Sequence, residues 1–468
     1  MKNIFTLLLC LFSGILMAQK EQKPNIIFIL ADDMGYGDIE PYGQSIVKTP
    51  HLSKLANEGM TFTDFYAGST VCAPSRASLL TGQHTGRTKV RGNGEFPLDE
   101  NKKIFPELLK EAGYQNAIFG KWGMGLKDSG STPLTRGFDA FAGFLHHMEA
   151  HSQTPDAIDC IEDGKIVRKP LAKGTYANEI FITKTLDFIK DNASKNPFFI
   201  YLSLTVPHAE LSVAQHYMEK QLDENKNSIH PNEKNFKGGH YGPQKFPKAT
   251  YAAMVNGIDD YVGQISTLVE KLGIDRNTII IFASDNGTHI EGGRTMEDVA
   301  YFQSSGIYRG VKRDLYEGGI REPFIVRWKG TVPANTKSNF QGAFWDIYPT
   351  FAEMAGVRVD KNDPIDGISF MNTLKGNKKQ KKHKYLYWEF YEFGGKQAVR
   401  YKNWKAVRVN VDKDKNAPIE LYDLSKDPSE TNNIAGKYPK MIKKLTKFME
   451  KSRTSSDIFK YSWEKTKK

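Results

Sequence analysis

The sequence predicts an α/β protein: a mostly parallel sheet flanked by helices, with a smaller α+β subdomain at the C-terminal end. Three observations lead there. Asn25–Leu30, Phe198–Leu204 and Thr278–Phe282 are near-continuous apolar runs rich in β-branched and aromatic residues. Such runs read as strands buried on both faces, as in a parallel sheet covered by helices. Long helical patterns separate them, notably over 179–191 and 247–272. Past Lys384 the pattern changes to short extended segments at 385–390, 398–401, 404–409 and 420–423, then a closing helix over 437–451. A chain of 468 residues has room for one large α/β domain and such an appendage. The expected division is 1–18 as an export signal, 24–384 as the main domain and 385–468 as the subdomain.

Residues 1–18 combine a charged start at Lys2, an apolar run over Ile4–Met17 and a small residue at Ala18. That run is too short for a stable membrane span, so it reads as a signal peptide. The mature protein is expected to be periplasmic or secreted, without stable membrane insertion. The first strand ends at Asp32-Asp33, where an open α/β sheet builds its site. The pair reads either as hard oxygen ligands for calcium or magnesium or as turn and helix-cap aspartates. A helix is expected over 50–59 and an extended piece over 62–66. Another helix spans 104–112, stopped by Gly113. The strand Asn116–Phe119 leads into Gly120-Lys121-Trp122-Gly123, placing Lys121 just past a strand end. His146, His147 and His151 cluster after the aromatic segment 138–144. They read as a helical metal site, as substrate contacts or as plain surface. Thr205-Val206-Pro207-His208 follows the Phe198–Leu204 strand. An irregular polar insertion is expected over 223–247, on the site face. The Thr278–Phe282 strand ends in Ser284-Asp285-Asn286-Gly287-Thr288-His289, a second acidic strand end. A Gly-rich turn carries Arg309-Gly310-Val311-Lys312 and Glu317-Gly318-Gly319 before a strand at 323–328, and 344–355 reads as a helix.

The segment Cys72-Ala73-Pro74-Ser75-Arg76-Ala77-Ser78-Leu79-Leu80-Thr81-Gly82 reads as a short helix, with Pro74 in its first turn, Cys72 just before its N-terminus and Gly82 as its stop. Free N–H groups at a helix start favour an anion. Arg76 lies one turn on and can reach back to the same place. Cys72 is therefore either a structural cysteine or a reactive group at an anion-binding helix end.

These eleven residues resemble the signature of the type I sulfatases. Asp-Asp, Gly-Lys-Trp, Pro-His, Asp-Asn-Gly and Arg-Gly-x-Lys before Glu-Gly-Gly recur in that family in the same order. The resemblance implies an alkaline-phosphatase-like fold and hydrolysis of sulfate monoesters. It also implies that an accessory formylglycine-generating or anaerobic maturation enzyme oxidises Cys72 to formylglycine, which is hydrated to a geminal diol. By the same resemblance Asp32, Asp33, Asp285 and Asn286 hold calcium with the modified Cys72. Arg76 and Lys121 orient the diol and bind sulfate, Lys312 binds the ester, and His208 protonates the leaving alcohol. One position departs. Many members carry His two residues after the Lys of Gly-Lys-Trp, where it is thought to deprotonate the second hydroxyl; here the residue is Gly123. His146, His147, His151 and His289 are the candidates to replace it.

The formal charge of +11 and pI of about 9.1 point to an anionic partner. That partner reads as nucleic acid, an acidic membrane surface or an acidic polysaccharide, and no zinc-finger, helix-turn-helix or RNA-motif pattern favours nucleic acid. With the resemblance, the export signal and the basic charge point to a sulfated carbohydrate as substrate. His147, His151 and His289 are its expected contacts. Trp388, Phe390, Tyr391 and Phe393 read either as aromatics that stack on sugar rings or as core of the small subdomain. Of three cysteines, Cys10 leaves with the signal. Cys160 then remains alone if Cys72 is oxidised, the alternative being a Cys72–Cys160 bridge. Two further functional readings stand beside the sulfatase: a phosphate or phosphonate ester hydrolase of the same fold, and a non-catalytic glycan binder.

Overall fold

The computed structural model describes residues 23–465. The expected export signal, 1–18, lies outside the described residues. A ten-stranded sheet organises the chain. Asn25–Ala31 lies at its centre, parallel to Phe198–Ser203 on one side and Thr278–Ser284 on the other. Gln115–Lys121 and Ala140–Phe144 continue the parallel run beyond Phe198–Ser203. The hairpin Ala157–Glu162 with Lys165–Pro170 closes that edge in antiparallel fashion. On the other side Phe324–Arg327 pairs antiparallel with Thr278–Ser284. Met60–Phe62 and Thr336–Ser338 complete the sheet.

The central strand explains its own composition. All seven residues of Asn25–Ala31 are buried, and successive side chains point to opposite faces. Ile26, Phe28 and Leu30 enter one core with Ala77, Leu108 and Phe351. Ile27, Ile29 and Ala31 enter the other with Leu52, Phe181 and Ile258. Helices Cys72–Thr81, Phe105–Glu111 and Ile347–Met354 thus cover one face. Helices Pro50–Asn57, Ala177–Asn192 and Pro247–Lys271 cover the other.

A second sheet of four antiparallel strands spans Leu386–Phe390, Lys396–Tyr401, Trp404–Val409 and Ile419–Asp423. One face packs on the helix Pro439–Ser452 through Tyr387, Val399, Leu445 and Met449. The other packs on the main body through Trp388, Phe390, Val71 and Trp345. Trp388 Nε1 donates to Ala67 O at 2.9 Å, so this sheet backs the segment that leads into Cys72. A buried ion pair, Lys405 Nζ to Glu317 Oε1 at 2.7 Å, ties the two units together.

The structure bears on four points of the sequence reading. Cys72 is the first residue of its helix rather than the residue before it, with extended Val71 as cap. Gly82 stops that helix in the left-handed conformation, φ 69°, as a C-terminal glycine does without strain. Trp388 and Phe390 have no exposed surface, so these two aromatics are core; Tyr391 is half-buried and stacks on Tyr461, and Phe393 is 70% exposed. Cys72 and Cys160 are both free: Cys160 sits on the edge-strand hairpin, away from the central strand ends.

Candidate active site

Four strands deliver their carboxyl ends to one place, the position that sheet topology favours for a site. Asp32 and Asp33 follow Asn25–Ala31. Lys121 ends its strand, Ser203 ends the neighbour, and Asp285 follows Ser284. The chain turns sharply at Asp33, φ 66°, a conformation that costs a non-glycine residue and concentrates at functional sites. The Asp33 N–H donates to Asp285 Oδ1 at 3.0 Å, locking the two acidic ends together. Helix Cys72–Thr81 points its start at them, and all ten of its residues are buried.

Around Cys72 the charges alternate. Its Sγ–H donates to Asp32 Oδ1 at 3.1 Å. Lys121 Nζ donates to Asp32 Oδ2 at 2.7 Å. Arg76 Nε donates to Asp285 Oδ2 at 2.9 Å, and its NH1 to Ser203 Oγ. Lys312 Nζ donates to Asp33 Oδ2 at 2.7 Å, Glu291 Oε2 at 3.0 Å and His208 Nε2 at 2.9 Å. The structure brings the predicted Asp32, Asp33, Cys72, Arg76, Lys121, His208, Asp285, Asn286 and Lys312 into this one cluster.

The electrostatics follow from burial. Burial raises the Asp32 carboxyl, but Lys121 and Arg76 outweigh it and hold it well below the carboxylate range. Burial and the charge of Asp32 push Asp285 up. Burial, Asp285 and Asp32 push the Cys72 thiol well above its usual value, so an unmodified Cys72 stays protonated and is a poor nucleophile. Burial and Lys312 drive His208 well down. It is therefore a neutral imidazole whose Nδ1 bonds Ala209 O and whose Nε2 receives Lys312.

Asp32, Asp33, Cys72 and His208 offer ligand atoms close enough to share one metal ion. Asn286 Oδ1 is buried beside them with no partner, and a buried acceptor without a donor is costly. Carboxylate oxygens with an orphaned amide oxygen form a hard donor set.

The histidines divide. His147 and His151 line the small cavity that also exposes Cys72, Arg76 and Lys121. The segment around them is a single 3-10 turn, Glu149–His151, rather than a helix. His289 has no exposed surface; its Nε2 meets Pro207 O and its Nδ1 accepts from Glu291 N. No ring nitrogen is left there for a substrate. The polar segment before Pro247 reaches the site: the Tyr241 ring lies 6.0 Å from that of His151. Sequence reading missed Glu291, Ser203 and Glu95. None lies in a recognisable pattern, although Glu291 is only two residues past His289.

Comparison with known proteins decides the family. The Sulfatase family model matches residues 24–357. The chain belongs to the sulfatase family. The model of the N-sulphoglucosamine sulphohydrolase C-terminal region matches 306–455. The chain is 32% identical to the N-acetylgalactosamine-6-sulfatase of Rattus norvegicus over 390 residues, 77% of this chain and 67% of that protein. It is 30% identical to the N-acetylgalactosamine-6-O-sulfatase of Bacteroides thetaiotaomicron over 499 aligned positions, 93% of this chain and 94% of that protein. The crystal structure of Ps i-CgsB superposes with a TM-score of 0.78 at 26% identity, covering 95% of this chain and 96% of that one. This sulfatase is a sulfuric ester hydrolase. Among its described residues no helix is long and apolar enough to cross a membrane.

Proposed function

We propose that this sulfatase removes sulfate from a sulfated carbohydrate, with residue 72 converted to formylglycine and calcium held by Asp32, Asp33, Asp285 and Asn286. The observation that carries the reading is the convergence of Arg76, Lys121, Lys312 and His208 on Cys72 from four separate parts of the chain. Three buried cations and a neutral imidazole form a receptor for a tetrahedral anion. The sugar is supported by the relatives, both N-acetylgalactosamine-6-sulfatases. The Ps i-CgsB structure holding k-i-k-neocarrahexaose, at 27% identity, supports it further.

Both implied groups fit the residues present. The donor set and the orphaned Asn286 oxygen suit a hard divalent cation. The Cys72 Sγ–H already donates to Asp32, so a hydroxyl at residue 72 would find an acceptor there. When bound, calcium supplies positive charge against a sulfate ester, and the hydrated formylglycine supplies an oxygen nucleophile.

The chain's own residues do the rest. Lys121 and Arg76 hold the nucleophile's surroundings positive, and Ser203 fixes the Arg76 fork. Lys312, whose charge two carboxylates stabilise, binds the ester oxygens and stays a cation throughout. His208 Nε2, 2.9 Å from Lys312 Nζ, is placed so that the imidazole, once protonated, hands that proton to the leaving alcohol. Buried walls exclude water and strengthen each of these interactions.

The remaining parts of the reading are 24–384 as catalytic unit, 385–468 as subdomain, export to the periplasm or beyond, and a maturation enzyme acting on Cys72. The test is a panel of defined sulfated mono- and oligosaccharides beside matched aryl sulfate and aryl phosphate. Release of sulfate from a sugar, with little phosphate release, supports the reading. Phosphate release matching sulfate release would reject it.

A further inference from the structure

The cavity at Cys72 has one wall with no assigned work. Gly123 stands on it with φ 65° and no side chain, and a Cβ built there would lie 3.3 Å from the Cβ of His147. The His147 side chain therefore starts beside the place where a residue-123 side chain would have started. It lines the cavity together with Cys72, Arg76 and Lys121. Glu95 fixes it twice: Oε1 accepts the His147 backbone N–H at 3.1 Å and meets the ring Nδ1. Burial raises the Glu95 carboxyl, but its bond to His147 outweighs that and holds it down. An ionised carboxylate only accepts, so the His147 nitrogen that faces it, Nδ1, carries a proton. A carboxylate holding the far nitrogen of an imidazole in this way makes the near nitrogen a proton acceptor of fixed tautomer.

The other imidazoles are spoken for. His289 and His208 each have both ring nitrogens engaged. His151 also lines the cavity, but no carboxylate orients it and its buried Nδ1 has no partner. Burial, with His208 and two lysines, drives its pKa far down, so it holds a proton poorly. His146 is engaged too: its Nδ1 accepts the Met148 backbone N–H at 3.1 Å, and its side chain is 38% exposed on the solvent side of Glu95.

We propose that His147, oriented by Glu95, is the base that clears residue 72 of sulfate after the alcohol has left. The proposal rests on the conversion of Cys72 described above. Nε2 of His147 takes the proton of the free hydroxyl at residue 72. The O–H electron pair becomes the carbonyl bond, the C–O bond to sulfate breaks, and sulfate leaves as the dianion. The proton on His147 passes to solvent, so the aldehyde is restored with no net change in the protein.

The experiment uses the converted full-length enzyme and 4-nitrophenyl sulfate under rapid quench. His147→Ala should release one equivalent of nitrophenol per converted site and then stall, with sulfate release slowed by about 10²-fold or more. Acid-quenched protein should show the residue-72 peptide carrying one added SO₃ group. Glu95→Gln, of nearly equal shape, should stall in the same way but less severely. A readout independent of turnover uses unconverted protein: ¹⁵N spectra should show His147 protonated at Nδ1, and Glu95→Gln should disturb that tautomer. Nitrophenol and sulfate slowing together, without an adduct, would overturn the proposal, as would unchanged kinetics or an Nε2–H tautomer. Zinc retained through dialysis at Glu95, His146 and His147 would overturn it too. An active enzyme with an intact Cys72 thiol would instead overturn the conversion on which the proposal rests.

Discussion

His208 and Lys312 lie 2.9 Å apart, yet removing them should give different kinetic signatures. Lys312→Ala deletes a buried cation from the sulfate receptor. A unit charge about 4 Å from an ester oxygen, at an effective dielectric near 20, is worth about 4 kcal/mol. That loss corresponds to about a thousandfold in kcat/KM, whatever the leaving group. His208→Ala leaves the charge in place and removes only the proton carrier. General acid catalysis is worth about 10²- to 10⁴-fold, and only for alcohols that leave poorly as anions. The assay is kcat/KM for aryl sulfates of graded phenol acidity, with a sugar sulfate as the poorest leaving group. For His208→Ala the logarithm of kcat/KM should fall more steeply with leaving-group pKa than in wild type, with little loss on nitrophenyl sulfate. For Lys312→Ala the line should drop by about three decades at every substrate. Parallel lines for His208→Ala and wild type would refute its role as acid.

Further outcomes follow from the same geometry. Tryptic peptides of active enzyme should show Cys72 without its sulfur, and protein from a host lacking maturation should fold but stay inactive, because burial and two aspartates keep the thiol protonated. Asp285→Ala should lower bound calcium and turnover, and calcium should raise Tm in wild type but not in the variant; normal activity of stripped wild type would reject the metal reading. Lys405→Ala should cost about 3 kcal/mol in denaturant unfolding, because it leaves the buried Glu317 and Glu430 carboxylates short of a cation. Asp259 accepts the backbone N–H groups of His51 and Leu52 at the start of their helix, and burial pushes its carboxyl up to about 6. A raised carboxyl contributes its stability in full below the unfolded value and loses it as pH rises through about 6. The stability difference between wild type and Asp259→Asn should therefore shrink in wild type's disfavour by about 2–3 kcal/mol between pH 4 and pH 7.

The central strands were legible because their signal is local. An apolar run buried on both faces looks the same in any sequence, and Asn25–Ala31, Phe198–Ser203 and Thr278–Ser284 all carry it. The half-exposed hairpin at 157–170 and the three-residue strands Met60–Phe62 and Thr336–Ser338 do not. They are too short or too mixed in polarity to stand out from loop, and become strands by pairing with a sheet already formed. The site residues were legible for a related reason. Parallel strands present their carboxyl ends to one edge, so Asp32, Lys121 and Asp285 could be placed together from strand ends alone.

The sequence by itself therefore determined the central strands, the acidic strand ends, the helix beside Cys72 and the residue types of an anion receptor. Tertiary structure decided which partner each charge takes. Asp33 meets Lys312 across 279 positions of sequence and His147 meets Glu95 across 52. It also sorted residues of one type into different fates: His289 is sealed in the core while His147 opens on the cavity, and Trp388 is buried while Phe393 is exposed. The physical reason is range. Periodicity and strand-end chemistry are written in neighbouring residues. The pairing of polar side chains depends on which strands lie side by side, and short-range pattern does not encode that order.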